Sequence, residues 1–179
     1  MRDWNAIVTV RDGCWNTARQ AAGRFARVDR TGFYNVLIAR VDEPMELLGR
    51  LEALAQTDPT VGDAIAHVSP AEQAFDFVTA DEFRARARDA VLALAPRLDG
   101  KTFHVRLHRR GWKGVLVSTD EERHLADAVI GATQHEGAPA HVSFENPDAV
   151  ILIDTVGNRA GIALWSRADR HEHPLLPAC

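Results

Sequence analysis

Apolar residues in the first half of the chain follow two kinds of pattern that take turns along the sequence, one typical of strands and one typical of helices. The run Ala6–Val10 predicts a strand that ends at the turn signal Asp12-Gly13. Apolar residues then recur at helical spacing after Trp15 and again after Pro44, and strands are predicted over residues 33–39 and 61–68. This strand-helix-strand-helix-strand order predicts an α/β sandwich over residues 1–70.

The second half shows a similar alternation, beginning with a capping-box pattern at Thr79 that precedes a helix. The strand that follows places Phe103, Val105 and Leu107 on one face and His104, Arg106 and His108 on the other. A helix capped near Ser118 comes next, and the run 150–153, which is apolar on both faces, predicts a central strand followed by a hairpin. We predict a second α/β unit over residues 71–170 and an irregular tail over residues 171–179.

Composition supports a globular, cytoplasmic protein. Apolar residues make up 46% of the chain, which is enough for a packed core. No apolar run approaches the roughly 18 residues that cross a bilayer, and the charged N-terminal stretch lacks the apolar region of a signal peptide, so we expect no membrane partner. Cys14 and Cys179 lie at opposite ends of the sequence, and both thiols are expected to be reduced.

The net charge of −4 hides a strong asymmetry along the chain. Residues 1–40 carry a net charge of +4, residues 41–100 carry −7, and residues 101–179 carry −1. Within residues 101–113 there are five cations and no acidic residue. Because salt screens charges over about 8–10 Å, such a local basic surface can bind a polyanion even on an acidic protein.

The basic turn at the end of this segment has two interpretations. Arg109, Arg110 and Lys113 surround the turn from Gly111 to Gly114, whose small residues allow a phosphate backbone to approach, and Trp112 is suited to stack on a base or ribose. In the alternative interpretation, the turn is a solvated hairpin and Trp112 covers an edge of the core. The arginines of the preceding helix are expected to form a solvated face: Arg84, Arg86 and Arg88.

Catalytic signatures are weak. Cys14 follows a strand and begins a helix, where the helix dipole lowers a thiol pKa, but a packed role for it is preferred. His171-Glu172-His173 forms an incomplete metal site, and a solvated tail is the preferred interpretation. The sequence contains no GxGxxG, GxxxxGK[ST] or GxSxG motif. We therefore expect no cofactor, no bound metal and no catalytic residue.

Two stretches of the second half carry a family resemblance. The first stretch is a strand that runs into basic residues, and the second is an Asn-Pro-Asp turn followed by an apolar strand. The residues concerned are Phe103, Val105, Arg106, Arg109 and Arg110 in the first stretch, and Asn146, Pro147, Asp148, Ile151 and Ile153 in the second. On these residues the chain, from residue 79 to residue 167, resembles the THUMP domain, a tRNA-binding module of thiouridine synthases, RNA methyltransferases and pseudouridine synthases.

The resemblance implies an N-terminal ferredoxin-like sandwich followed by a THUMP α/β domain, which agrees with the predicted order of elements. The arrangement of the chain is similar to that of stand-alone THUMP proteins, which present tRNA to an acetyltransferase that forms N4-acetylcytidine. It implies a non-catalytic tRNA-binding protein whose contacts near the acceptor end are Arg106, Arg109, Arg110, Trp112 and Lys113. Two alternatives stay open: a small cytoplasmic enzyme that uses Cys14, and a protein-interaction module, which the acidic segment 41–100 favours.

Overall fold

The computed structural model describes residues 2–135 and 137–177, and these residues form two compact units. The first unit contains residues 2–72 together with residues 170–177. The second unit is Gln73–Asp169. No helix in the described part of the chain is long and apolar enough to cross a membrane.

The first unit is a four-stranded antiparallel sheet with three helices. Its elements are β1 (Ala6–Val10), α1 (Trp15–Gly23), β2 (Arg27–Arg30), β3 (Val36–Arg40), α2 (Pro44–Thr57), α3 (Pro59–Ala64) and β4 (Ile65–Pro70). The strand order is β2-β3-β1-β4, so β1 lies at the centre and pairs antiparallel with both β3 and β4. This connection pattern is the split β-α-β arrangement of ferredoxin-like folds, which confirms the sandwich predicted for this half.

Two elements of the first unit differ from the prediction. Strand β2 was not predicted because it reads Arg-Val-Asp-Arg, a charged edge strand in which only Val28 is partly buried. The strand predicted over residues 61–68 begins only at Ile65, because residues 59–64 form α3. Pro59 occupies the first turn of that helix, and the Asp58 carboxylate accepts a hydrogen bond from the Thr60 N–H at 3.1 Å.

The second unit is a mixed five-stranded sheet. Its elements are β5 (Gln73–Asp76), α4 (Ala80–Leu94), a 3-10 turn over residues 95–98, β6 (Thr102–Arg110), α5 (Ser118–His135), β7 (His141–Val142), β8 (Ala149–Val156) and β9 (Arg159–Ser166). The strand order is β5-β9-β8-β6-β7. Strand β6 runs parallel to β7 and β8, and the β8–β9 and β9–β5 pairs are antiparallel.

The core of the second unit lies between its sheet and helices α4 and α5. Phe103, Val105 and Leu107 of β6 enter this core, as their alternation predicted. Strand β8 is buried almost along its whole length, which confirms the prediction of a central strand. Packing of the apolar face of β6 against α4 and α5 therefore positions the strand. Because side chains alternate along a strand, the residues between the core residues point away from the helices.

One of the predicted helix caps forms and another does not. The Thr79 hydroxyl accepts the Glu82 N–H at 3.1 Å, and the Glu82 carboxylate accepts the Val78 N–H at 2.6 Å, so the capping box at the start of α4 is confirmed. Ser118 is not the residue before α5 but its first residue, and the Val117 carbonyl accepts the first helical N–H groups.

The irregular tail predicted for residues 171–179 is wrong in part. A short helix, α6 (Arg167–Glu172), contains the first two of these residues. The following residues pack on the first unit: the Val68 N–H donates to the Leu175 carbonyl at 2.7 Å, and His173 Nδ1 lies 2.8 Å from a carboxylate oxygen of Glu52. Glu52 is buried and requires partners, and these lie more than a hundred residues further along the chain. Cys179 lies outside the described residues.

Candidate nucleic-acid interface

Strand β6 and the turn after it hold all five of the predicted RNA-binding residues. His104, Arg106, His108 and Arg110 occupy alternate positions, and they point away from the face that packs against α4 and α5. Arg109 follows the opposite parity, beyond the last core residue of the strand. Trp112 and Lys113 belong to the turn that leads towards α5.

Arg110 is the cation partner of a buried carboxylate. Its guanidinium donates to Asp154 of β8, a residue that is only 3% exposed, and its backbone N–H donates to the Thr155 hydroxyl at 3.0 Å. His108 Nδ1 lies 3.6 Å from the same carboxylate. Burial alone raises the pKa of Asp154, but the hydrogen bond from His108 and the charge of Arg110 outweigh it and lower that pKa. The charge of Arg110 is therefore compensated within the protein.

Trp112 is held by contacts with the fold. Its indole N–H donates to the Gly157 carbonyl at 3.1 Å, and its ring packs against Phe77 with 5.4 Å between ring centroids. Its backbone has a φ of 55°, between Gly111 at 105° and Gly114 at 80°. A bulky residue in this conformation needs support from its surroundings, which the two ring contacts supply. These contacts favour the interpretation in which Trp112 covers an edge of the core.

Arg109 also contacts the turn itself. It is half-buried, and its guanidinium donates to the Gly111 carbonyl. This hydrogen bond, to a carbonyl two residues further along, fixes the backbone where the chain leaves β6. Arg109 and Arg110 therefore shape the turn, although the sequence singled them out for phosphate contacts.

Arg106 and Lys113 keep uncompensated charges. Within residues 2–135 and 137–177, neither side chain has a hydrogen-bond or ion-pair partner. Lys113 is exposed and Arg106 is partly exposed, so both charges are accessible to a polyanion. Of the five predicted residues, these two carry charges without a partner among the described residues, so they remain the candidates for phosphate contacts.

The acidic start of α5 contributes less negative charge than its sequence indicates. Glu121 is 3% exposed and accepts a two-pronged hydrogen bond from Arg84, with nitrogen-oxygen distances between 2.8 and 3.2 Å. The hydrogen bonds that Arg84 donates to Glu121 raise the pKa of Arg84. Glu122 accepts the Leu107 N–H at 2.7 Å. Arg84, Arg86 and Arg88 are all exposed, as predicted for a solvated face, and the structure adds that Arg84 is paired with the buried Glu121.

Asp148, part of the Asn-Pro-Asp turn, stabilises the fold through hydrogen bonds to Thr102. Its carboxylate accepts the Thr102 N–H at 2.9 Å and the Thr102 hydroxyl at 2.7 Å, and Arg167 lies 3.0 Å away. The Thr102 backbone and hydroxyl hydrogen bonds, followed by the charge of Arg167, lower the pKa of Asp148. This carboxylate therefore ties the start of β8 to the start of β6. It also borders a cavity of about 440 Å³ with Arg97 and Lys101 on its wall.

Phe144 is an exposed aromatic residue that sequence reasoning missed. Its ring stacks on His104 with 5.4 Å between centroids, and the side chain is 71% exposed. The stretch Ser-Phe-Glu-Asn-Pro shows a turn in the sequence but not the exposure of its phenylalanine.

Cys14, the candidate for the enzymatic alternative, occupies the N-cap position of α1. Its carbonyl accepts the Ala18 N–H at 3.0 Å, its thiol makes no capping hydrogen bond, and the residue is half-exposed. Among the described residues, no group of His, Cys, Asp or Glu is arranged to hold a metal ion.

Neither a protein-family model nor a curated protein matches this chain, but solved structures share its fold. PH1313 from Pyrococcus horikoshii Ot3 aligns over 89% of this chain with a TM-score of 0.62 and 15% identity. TrmN from Thermus thermophilus aligns over 89% with a TM-score of 0.59 and 19% identity. A 4-thiouridine synthetase, solved in complex with RNA and ATP, aligns over 89% with a TM-score of 0.53 and 15% identity.

The shared part is the α+β fold of this chain, which spans between 40% and 53% of the length of these three proteins. This likeness confirms the predicted fold class, a ferredoxin-like sandwich followed by a THUMP-like α/β unit.

Proposed function

We propose that this chain is a non-catalytic tRNA-binding protein that presents tRNA to a modification enzyme, such as an acetyltransferase that forms N4-acetylcytidine. The observation that carries the proposal is the pair of uncompensated cations, Arg106 and Lys113, on β6 and the turn after it. A scaffold of the same fold belongs to a 4-thiouridine synthetase solved in complex with RNA, which supports RNA as the polyanion.

The surface is suited to the backbone of RNA rather than to its base sequence. Double-stranded RNA is recognised largely through its shape, phosphates and 2′-hydroxyls. Two accessible cations, on a strand whose other face is fixed in a core, supply phosphate contacts without a sequence-reading side chain. Binding to tRNAs of different sequence is accordingly expected to be similar.

Filter binding of bulk tRNA to the purified protein at two salt concentrations tests the RNA-binding part of the proposal. Each phosphate contact contributes about 0.7–0.9 to the slope of log K against log salt, so two contacts give a slope near −1.5. A salt-independent affinity, or the absence of any binding at low salt, would refute tRNA as the ligand.

The non-catalytic part rests on the absence of a nucleotide-donor motif from the sequence. Protein incubated with tRNA and common group donors is expected to leave no modified nucleoside, as measured by nucleoside chromatography with mass spectrometry. Addition of the partner enzyme is expected to raise that enzyme's rate on tRNA. Modification of tRNA by this protein alone, abolished by alkylation of Cys14, would favour the enzymatic alternative instead.

A further inference from the structure

Phe144 stands out among the exposed side chains of the second unit because one face of its ring is already stacked. The ring lies over the His104 imidazole with an interplanar angle of 26°, and His104 itself is 2% exposed. A large apolar ring that is 71% exposed has a cost in water. Here the buried histidine holds one face and leaves the other free.

Three contacts hold the segment that carries this ring. His104 Nδ1 lies 3.1 Å from the Ser143 carbonyl oxygen, which accepts a hydrogen bond from it, and the Ser143 hydroxyl donates to the Glu145 carbonyl at 3.1 Å. Arg167 donates to the Asn146 carbonyl at 2.7 Å, and Asn146 has a φ of 47°, a conformation that asparagine tolerates. The aromatic face is therefore positioned before any ligand arrives.

The face of β6 that carries His104 also carries a cation. Arg106 follows His104 by two residues on the same face of β6, which corresponds to roughly 7 Å along a strand. Arg106 has no hydrogen-bond or ion-pair partner in the described part of the chain. An exposed aromatic face and an unpaired guanidinium on the same face of one strand match the base and the phosphate of one nucleotide.

We propose that Phe144 and Arg106 form a site for one unpaired nucleotide of RNA, whose base stacks on the exposed face of Phe144 while Arg106 binds its phosphate. This inference rests on the proposed function and names the part of the RNA that the site takes. A paired base is not available for such stacking, because both of its faces are covered in the duplex, whereas unpaired bases stack on aromatic residues.

The side chains around Phe144 favour RNA over a protein as the partner that binds there. An apolar patch that docks a protein requires several neighbouring large side chains, whereas Phe144 is flanked in sequence by Ser143 and the exposed Glu145. Val142, at 41% exposure, is the nearest exposed aliphatic residue in the sequence. A single ring beside a single cation fits a nucleotide better than a peptide.

The test compares two RNA hairpins with the same stem, one with a blunt end and one with four unpaired nucleotides that include 2-aminopurine. Overhangs at the 5′ and 3′ ends are tested separately. The wild-type protein is expected to bind one overhang hairpin more tightly than the blunt hairpin and to quench the 2-aminopurine fluorescence. Phe144→Leu keeps an apolar side chain and loses the ring, so the overhang affinity is expected to fall by about 5- to 140-fold, to that of the blunt hairpin.

Two variants complete the experiment. Phe144→Trp is expected to retain both the overhang preference and the quenching, and Val142→Ala serves as the matched control because it removes an exposed apolar side chain nearby without affecting the ring. Thermal melting of every variant separates a binding defect from an unfolding defect.

The outcomes separate this inference from the proposed function. Equal wild-type affinity for blunt and overhang hairpins, or an unchanged overhang preference in Phe144→Leu, overturns the nucleotide site and leaves tRNA binding intact. A loss of enzyme stimulation in Phe144→Leu with unchanged RNA binding makes the ring a protein contact, and also overturns the site. Failure of the wild-type protein to bind any of the hairpins or tRNA overturns both proposals.

Discussion

At the scale of single residues, the basic turn contains side chains that build the fold and side chains that remain free to bind. Arg110 donates to Asp154 and Arg109 to the Gly111 carbonyl, whereas Arg106 and Lys113 have no partner within the described residues. A cation already opposed by an internal carboxylate releases few counterions from a nucleic acid. Only the free pair is therefore expected to determine how tRNA affinity depends on salt.

Arg106→Ala and Lys113→Ala are each expected to lower tRNA affinity and to flatten the slope of log K against log salt by about 0.7–0.9. The loss is expected to be alike for all tRNAs, because phosphate contacts do not read sequence. Filter binding over a salt series measures both quantities. Arg86→Ala is the charge-matched control, since it removes an exposed cation from α4, and its slope is expected to equal that of the wild type. A wild-type slope in the double variant Arg106→Ala/Lys113→Ala would contradict the assignment.

Trp112→Ala is expected to lower the free energy of unfolding by about 2–4 kcal/mol, because the indole fills space against Phe77. The salt slope of tRNA binding is expected to be unchanged. Urea unfolding followed by circular dichroism measures the first quantity. Trp112→Phe keeps a ring and loses the hydrogen bond to Gly157, so a loss of about 1 kcal/mol is expected. Weaker tRNA binding at unchanged stability would show instead that Trp112 stacks on RNA.

At the scale of elements, the β6–β8 pair is held by side chains as well as by its ladder of backbone hydrogen bonds. Thr102 and Asp148 join the two strands at their starts, and Arg110, Thr155 and Asp154 join them at their ends. These polar contacts occupy both ends of a strand pair whose middle is apolar on the core face. They fix the register of β6 and with it the direction of Arg106.

Arg110→Ala is expected to destabilise the protein by about 3 kcal/mol, because it removes the main cation beside a buried carboxylate. Arg106→Ala, on the same face of the same strand, serves as the control and is expected to leave the stability unchanged. Urea unfolding at neutral pH provides the comparison. If Arg110→Ala lowered tRNA affinity without changing stability, the phosphate-contact role indicated by the sequence would be correct.

The same carboxylate predicts a dependence of stability on pH. The pKa of Asp154 is lower in the folded protein than in the unfolded chain, so its ionised form stabilises the fold. This contribution is fully present above the unfolded value of about 3.9 and is lost as the pH falls through the lower folded value. Asp154→Asn is expected to remove this part of the acid sensitivity in urea titrations between pH 2 and 6. An unchanged acid dependence in that variant would count against the Arg110–Asp154 pair.

The local sequence pattern predicted those features that depend on residues a few positions apart. It was less successful for features that depend on contacts with residues distant in the sequence. Alternation gave the faces of β6, and the capping box placed the start of α4. Edge strand β2 is charged and lacks an apolar signal. The pairs Arg84–Glu121 and Arg110–Asp154 join residues 37 and 44 positions apart, so the sequence alone did not show that either arginine has a buried carboxylate partner.

At the scale of the whole molecule, the final described segment belongs to the first unit although it follows the second in sequence. Glu52 holds it, accepting the Leu175 N–H at 3.2 Å and lying 2.8 Å from His173 Nδ1. The last segment of the first unit is therefore synthesised only after the second unit. The sequence alone does not indicate this contact, because a His-Glu-His stretch beside prolines is typical of a solvated tail.

Glu52→Gln is expected to lower the free energy of unfolding of the first unit by about 1–3 kcal/mol, since it weakens hydrogen bonds that involve a charged group. Hydrogen exchange at the Leu175 amide measures the local effect, and faster exchange is expected in the variant. Glu46→Gln, on an exposed turn of the same helix, is the matched control. Equal exchange rates in wild-type and Glu52→Gln protein would show that the segment is held by other contacts.

The hydrogen bond from the Leu107 N–H to Glu122 has a consequence for how copies of the protein behave when concentrated. Strand β7 covers β6 only at Thr102 and Phe103, so the rest of that edge has no strand neighbour in the described part of the chain. Exposed edges of this kind recruit strands from other molecules and lead to aggregation. Because the Glu122 carboxylate already accepts the Leu107 N–H at the middle of the edge, an incoming strand meets negative charge there, which disfavours edge-to-edge pairing between copies.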